Sequence, residues 1–297
     1  MSDTSAVLRT KIDGADKLKS VVRTMKAMAA SSIGQYENAV LALADYERTV
    51  TLGLTACLRQ AELEPIRKAQ HAKQNTIGAI VFGSDQGLVG QFNEIMAAFI
   101  TQTLSKLPGK KKIWVVGERL YSRLADAGFP LAGPYPVPNS VEAISQLVGQ
   151  IQIESEAPHP INEADQVYLF HNQPQTGSLY QPICRQLLPL DAEWQRALVL
   201  APWPTHSLPQ AVGRNHDLLR SLIREYLFIS IFKACAESLD SENASRLAAM
   251  QRAEKNIDEL STQLHRTFSR LRQSAIDEEL FDVIAGFNAL TDLGDSS

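Results

Sequence analysis

The stretch SVVRTMKAMAASSIGQYENAVLALADYERTV, residues 20–50, contains no proline and a single glycine, Gly34. Nothing in its backbone chemistry interrupts a helix. Reading outward, Leu8, Ala15, Val22, Ala29, Tyr36, Leu43, Val50 and Cys57 recur every seven residues. A second seam is expected at Leu18, Met25, Ser32, Ala39, Tyr46 and Gly53. A sustained seven-residue period is the mark of a coiled-coil strand. At the helical rise this one spans about 80 Å. Its small seam residues, Ala15, Ala29, Ser32, Ala39 and Gly53, predict close approach to a partner helix.

The far end of the chain behaves alike. Between Pro209 and Ser297 there is no further proline and the glycines are Gly213, Gly286 and Gly294. Leu222, Ile229, Ala236, Met250, Ile257, Leu264 and Leu271 keep the seven-residue step, with Phe232, Leu239, Ala253 and Leu260 between them. Asn243 interrupts the first series, as a polar seam residue that fixes register does.

All 14 prolines fall from Pro65 to Pro209. The short apolar runs Ile77 to Phe82, Ile113 to Val116, Val167 to Phe170 and Ala197 to Leu200 read as buried strands. Helical stretches at Glu94 to Leu107, Glu118 to Ala127 and Val141 to Ile151 separate them. Alternating strand and helix predict an open, mainly parallel, Rossmann-like sheet. The fold class expected is therefore α/β, with the sheet domain (residues 61–208) inserted between two long terminal helices (1–60 and 209–297) that form an antiparallel coiled coil. The tip from about Arg266 to Leu290 is expected to be unpaired.

Composition narrows the function. The chain has 297 residues, 44% hydrophobic and 21% charged, with 29 Lys+Arg against 33 Asp+Glu. That balance excludes wholesale disorder, and a net charge of -4 excludes a globally basic nucleic-acid binder. Cys57, Cys184 and Cys235 form no CxxC pair, against a zinc ribbon or a disulfide scaffold. Met1 to Arg9 lack a leader pattern and no long apolar run occurs, so the chain is expected to be neither secreted nor membrane-spanning.

Catalytic patterns are missing. The turn Gly83-Ser84-Asp85-Gln86-Gly87-Leu88-Val89-Gly90 sits where a nucleotide loop belongs, but it has neither GxGxxG spacing nor GK[ST]. His71, His159, His171, His206, His216 and His265 are scattered without metal spacing. Ser84, Asp85 and His171 lack the GxSxG context of a hydrolytic triad. Glu278 and Glu279, with Asp277 and Asp282, read as a solvated acidic face. Residues 9–26 set Arg9, Lys11, Lys17, Lys19, Arg23 and Lys26 against Asp13 and Asp16, a local charge of +4. That run reads as a solvated face or a seat for an acidic protein partner. No catalytic, cofactor or metal residue is expected, and assembly or mechanics is the better reading.

Several ordered strings now acquire meaning, because they resemble the gamma subunits of F-type ATP synthases. Ile12 followed by Val21-Val22-Arg23-Thr24-Met25-Lys26-Ala27-Met28-Ala29-Ala30 is similar to the family's KSMKMVAA helix. Ser84 to Asn93 is similar to SDRGLCGGLN. Glu225-Tyr226, then Ser241-Glu242-Asn243-Ala244-Ser245-Arg246 through Met250, Ala253 and Asn256, resemble SExxARMxAMxxAxxN. Arg270-Leu271-Arg272-Gln273-Ser274-Ala275-Ile276, Glu279-Leu280, Ile284-Ala285-Gly286 and Ala289-Leu290 resemble NRxRQxxITxELxEIVxGAxAL.

This resemblance implies a rotor shaft whose paired helices enter a hexamer of alpha and beta subunits, with epsilon and the c-ring beneath. It implies that the catalytic residues lie in beta and that the chain is a peripheral subunit at the cytoplasmic face of a bacterial membrane. Carried over by position, Arg23, Met25 and Lys26 face beta's acidic lever loop. Glu242 and Arg246 support that region from the opposite helix, while Arg272, Gln273 and Glu279 meet the catalytic subunits at the tip. Gln86 stands in place of the arginine of SDRGL, Asp277 in place of a threonine, and Phe287-Asn288 in place of small residues. Residues 201–210 lack the family's acidic YEP segment. These departures suggest a divergent branch. The alternative reading is a coiled-coil scaffold with an α/β interaction domain outside any rotary complex.

Overall fold

The computed structural model describes residues 2–60, 76–156, 166–175, 178–190, 192–209 and 215–294, for the backbone alone at 2–4, 153–156, 178, 192, 215–216 and 285–294. His71, His159 and the expected domain boundary at residue 61 lie outside the described residues. So do the side chains of Ala285, Gly286, Ala289 and Leu290.

The order of elements is α1 (Ser2–Gln60), β1 (Thr76–Phe82), α2 (Phe92–Ser105), β2 (Lys110–Val116), α3 (Glu118–Asp126), β3 (Leu131–Tyr135), α4 (Val141–Glu156), β4 (Gln166–Gln175), β5 (Ser178–Leu188), α5 (Ala192–Leu200) and α6 (Asn215–Gly294). The two terminal helices run 59 and 80 residues without a break. The chain folds as two compact units, residues 29–246 and residues 1–28 with 247–297.

In the larger unit the strand order is β3-β2-β1-β4-β5. The first four strands are parallel and β5 is antiparallel to β4. Alternation along the strands divides the side chains between two faces. Ile77, Ala79, Val81, Ile113, Val115 and Phe170 pack with Met96, Ile100 and Leu104 of α2 and with Leu120 and Leu124 of α3. The opposite residues, Ile80, Phe82, Trp114, Val116, Val167 and Leu169, pack with α4, with Ile231 to Leu239 of α6 and with Tyr36 of α1. Because the sheet covers it, α6 is buried almost all round from Ile229 to Ser245. Below, Val50, Leu54 and Leu58 of α1 meet Ile229 of α6 and Leu198 of α5. Arg59 ties α1 to the loop beyond α5, donating from Nε to Val199 O at 2.9 Å and from Nη2 to Ala201 O, with its guanidinium 5.9 Å from the Trp203 ring centroid.

Ala197 to Leu200 was expected as a strand and is instead the last part of α5. Helical spacing explains it: Trp194 and Leu198, four residues apart, both pack in the same cluster, whereas Leu200 is 82% exposed. The two strands that pattern alone does not find, β3 and β5, are the sheet edges. They carry Pro134 and Pro182, which an edge strand tolerates and a central one does not.

In each unit α1 and α6 run antiparallel, Lys19 meeting Asp258 and Arg23 meeting Glu254 in one, Tyr46 meeting Glu225 and Gly53 meeting Leu222 in the other. The first expected seam of each helix is covered throughout. The second is covered at Met25, Ser32, Ala39, Gly53, Phe232, Leu239 and Ala253 and exposed at its remaining members. Leu18 is 60% exposed, Tyr46 43% and Leu260 49%. Positions four residues after the first seam are covered as well: Ile12, Lys19 and Lys26 with Glu254, Ser261, Phe268 and Ala275 in the small unit, and Ile33, Val40, Glu47 and Leu54 in the large one. Residues i+3 and i+4 flank the same stripe, and here the polar flank faces the partner, its aliphatic stems covering apolar surface.

The expected unpaired tip is also shorter than foreseen. Ser5, Arg9, Ile12 and Asp13 of α1 border one groove together with His265, Phe268, Leu271, Arg272, Ala275, Glu278, Glu279 and Asp282 of α6. α1 therefore accompanies α6 as far as about Ala275, beyond which residues 276–284 are exposed.

Candidate functional site

In the small unit the basic run of α1 is matched by carboxylates of α6. Glu254 accepts from Arg23 Nε at 2.8 Å through one oxygen and from Lys26 Nζ at 2.5 Å through the other. Lys19 Nζ lies 2.5 Å from Asp258. The hydrogen bonds from Lys26 and then Arg23 hold the Glu254 carboxyl down at about 2. Met25 is half-buried beside them, and Val21 and Met28 on the outer side of α1 are exposed. Lys19, Glu254 and Asp258 are missed by motif reading, since the family string leaves position 254 open. The signal that finds them is antiparallel register combined with opposite charge.

At the tip, Arg272 and Glu279 border the groove shared with α1. Gln273 lies on a different surface, with Thr262, His265, Arg266, Ser269 and Arg270. All three are exposed.

The large unit holds a contrasting, buried polar junction. At the point where strand order reverses, between β1 and β4, an α/β sheet offers its usual crevice for a ligand. Here α6 fills it. Ser245 Oγ donates to Val89 O at 2.6 Å and Ser241 Oγ donates to Asn172 O at 3.1 Å. One turn along, Arg246 Nη2 donates to Glu242 Oε1 at 2.6 Å, and both side chains are nearly enclosed. Burial raises the Glu242 carboxyl above the usual range against the opposing pull of Arg246, and Asp85 adds to the rise. Asp240, also buried, is pushed up to about 6 by burial first and then by Glu37 and Glu237.

The loop Gly83 to Gly90 is built for this junction. Ser84 N donates to Asn93 Oδ1 at 3.0 Å, and Asn93 Nδ2 donates to Ser84 Oγ at 2.8 Å. Asp85 accepts from Glu118 N and Val137 N, each at 2.9 Å, holding the start of α3 and the chain beyond β3. Gly117, at φ 107°, leaves room for the Gly83 backbone, since a Cβ there would stand 2.8 Å from Gly83 C and Ser84 N. Ser84 and Asp85 are thus spent on structure. His171 Nε2 lies 2.8 Å from Glu237, not from Ser84. The motif strings SDQGLVG and SENASR meet each other in this fold, a contact that neither string announces by itself.

Long helices from opposite chain ends, ion-paired and exposed along one stretch and locked to a sheet along another, define a structural subunit of an assembly. The family model described as ATP synthase matches residues 4–290, and the chain belongs to that family. It is 25% identical over 300 residues to the ATP synthase gamma chain of Syntrophus aciditrophicus (strain SB), covering 95% of this chain and 97% of that one. It is 28% identical over 294 residues to the gamma chain of Clavibacter sepedonicus, covering 96% and 97%. Its fold resembles a chain of the Euglena gracilis mitochondrial ATP synthase, OSCP/F1/c-ring, with a TM-score of 0.63, 17% identity and coverage of 98% and 95%. A chain from the Tetrahymena thermophila mitochondrial ATP synthase central stalk/c-ring gives a TM-score of 0.55 at 18% identity, covering 78% and 99%.

Proposed function

We propose that this chain is the central-stalk rotor subunit of a rotary ATP synthase. By rotation it couples ion translocation in the membrane sector to ATP synthesis or hydrolysis in a hexamer of alpha and beta subunits. The observation that carries the reading is the family match over residues 4–290 on a fold whose two terminal helices run antiparallel with the sheet inserted between them. Alpha, beta, epsilon and the c-ring are its partners. The catalytic residues belong to those partners, and the chain itself supplies none. It is peripheral to the membrane, on the cytoplasmic face of a bacterial cell. In this role it divides into a helix of residues 1–60, the α/β domain of 61–208 and a helix of 209–297.

Arg23, Met25 and Lys26 are the contact to an acidic lever segment of beta. What supports this is a basic, partly exposed stretch of α1 whose contacts are ion pairs, which exchange partners at low cost. Glu242 and Arg246 brace α6 against the SDQGLVG loop so that turning the helix turns the sheet. Arg272, Gln273 and Glu279, exposed near the end of α6, meet the catalytic subunits.

Affinity isolation of the tagged chain from its native cell, with mass spectrometry of what accompanies it, tests the proposal. Recovery of alpha, beta and epsilon with ATPase activity is expected. Recovery of the chain alone or of its own copies overturns the rotor role.

A further inference from the structure

We propose that Glu254 is a positioning residue that presents Arg23 as a preset receptor for one carboxylate of an acidic partner segment. The inference rests on the rotor reading and names how the α1 contact recognises its partner. Arg23 touches Glu254 through Nε alone, at 2.8 Å. Among the described residues neither terminal amino group of Arg23 donates to a protein acceptor.

A guanidinium offers a carboxylate two edges, the side made by Nε with one Nη and the end made by Nη1 with Nη2. Glu254 occupies the side edge, so the end edge is what remains. The Arg23 side chain is 60% exposed, so that edge is open to a partner, whereas Glu254 is only 16% exposed and serves as an inner anchor. Lys26 takes the other Glu254 oxygen and stops the carboxylate from turning both oxygens toward Arg23.

The charge fits the occupant. One carboxylate facing two cations leaves a surplus positive charge, on a helix stretch whose residues 9–26 sum to +4. Asp258 nearby is engaged by Lys19 and leaves Arg23 uncapped. A second carboxylate from outside neutralises the surplus and completes a bidentate pair.

The inference makes a prediction opposite in sign to simple charge counting. Glu254→Gln removes a negative charge from a basic surface and, by long-range attraction alone, tightens the hold on an acidic partner. If Glu254 orients Arg23, the same change releases the side chain into many rotamers, and binding weakens by about 2- to 10-fold, the cost of ordering one such side chain again.

The test uses the full-length chain and alpha–beta assemblies from the same organism. Dissociation constants are measured for the unaltered chain, Glu254→Gln, Arg23→Lys, Arg23→Gln and the double variant Arg23→Gln/Glu254→Gln, with thermal midpoints confirming that each is folded. Weaker binding by Glu254→Gln is expected, together with equal weakening by Arg23→Lys, which keeps the charge and loses the fork. The double variant is expected to bind no worse than Arg23→Gln. Unchanged or tighter binding by Glu254→Gln, full binding by Arg23→Lys, or additive losses in the double variant overturn the positioning role. If all variants bind as the unaltered chain does, the rotor reading stands and this inference falls. If the unaltered chain itself fails to bind alpha–beta, both fall.

Discussion

The same two helices meet by two different chemistries. In the unit of residues 1–28 and 247–297, α1 and α6 are joined by Lys19–Asp258 and by Glu254 with Arg23 and Lys26, pairs that water reaches. In the unit of residues 29–246, α6 meets the SDQGLVG loop through Ser245 and β4 through Ser241, with the Glu242–Arg246 pair enclosed beside them. Exposed pairs tolerate loss because solvent replaces the partner, whereas an enclosed charge stripped of its partner has no substitute. The first arrangement suits contacts that must be exchanged, the second a joint that must not slip.

The largest effect should come from breaking the enclosed pair. Arg246→Ala leaves Glu242 buried and uncompensated, and a loss of about 3 to 5 kcal/mol in unfolding free energy is expected by denaturant titration. A loss under about 1 kcal/mol would place this pair in the exposed class and collapse the contrast. Asp240→Asn sharpens the same side. The buried carboxyl titrates at about 6 in the native state and lower when unfolded, so stability is greatest in acid and is lost as pH rises between the two values. Asparagine removes that loss, and a gain on the order of 2 kcal/mol is expected at pH 7.5 with little difference at pH 3.5. Equal thermal midpoints for the two proteins at pH 7.5 would contradict it.

Removing the hydroxyl of Ser245 tests the joint with less violence. Ser245→Ala deletes the bond to Val89 O and should cost about 1 kcal/mol, readable as a small fall in midpoint. The smallest change in stability belongs to Glu254→Gln. Native Glu254 titrates at about 2, so its contribution is present above the ordinary carboxylate range and disappears as pH falls toward that value. The variant should melt slightly lower at pH 7, coincide with the parent near pH 2 and lose its difference in molar salt. A difference that persists in salt would show the pair to be shielded as the junction is.

Much of this architecture can be read from local chemistry. The proline-free ends and the first heptad seam announce α1 and α6, and the runs at Ile77, Ile113 and Val167 announce three of the four parallel strands. The second seam is misread only at its exposed members, because Leu18 and Tyr46 look like core while Lys19 and Glu47, whose stems are buried, look like surface. The edge strands β3 and β5 escape because Pro134 and Pro182 resemble loop punctuation, and edge position is a tertiary property. Of the site residues, Arg23, Lys26, Glu242 and Arg246 stand out in their strings. Glu254, the partner of Arg23 and Lys26, does not, since pairing across more than two hundred positions depends on register.

The sheet's inner face is closed by the last element to be made. Ile80, Phe82, Trp114 and Val116 pack against Ile231 to Leu239, so during translation they await a segment roughly 115 to 160 residues further on. At ordinary elongation speeds that interval lasts roughly six to thirty seconds. Throughout it the nascent chain displays an apolar surface and an unfilled crevice, and a chain truncated before Asn215 would display them permanently. Final closure of the fold is therefore a late event in biosynthesis, and the growing polypeptide is a natural client for chaperones.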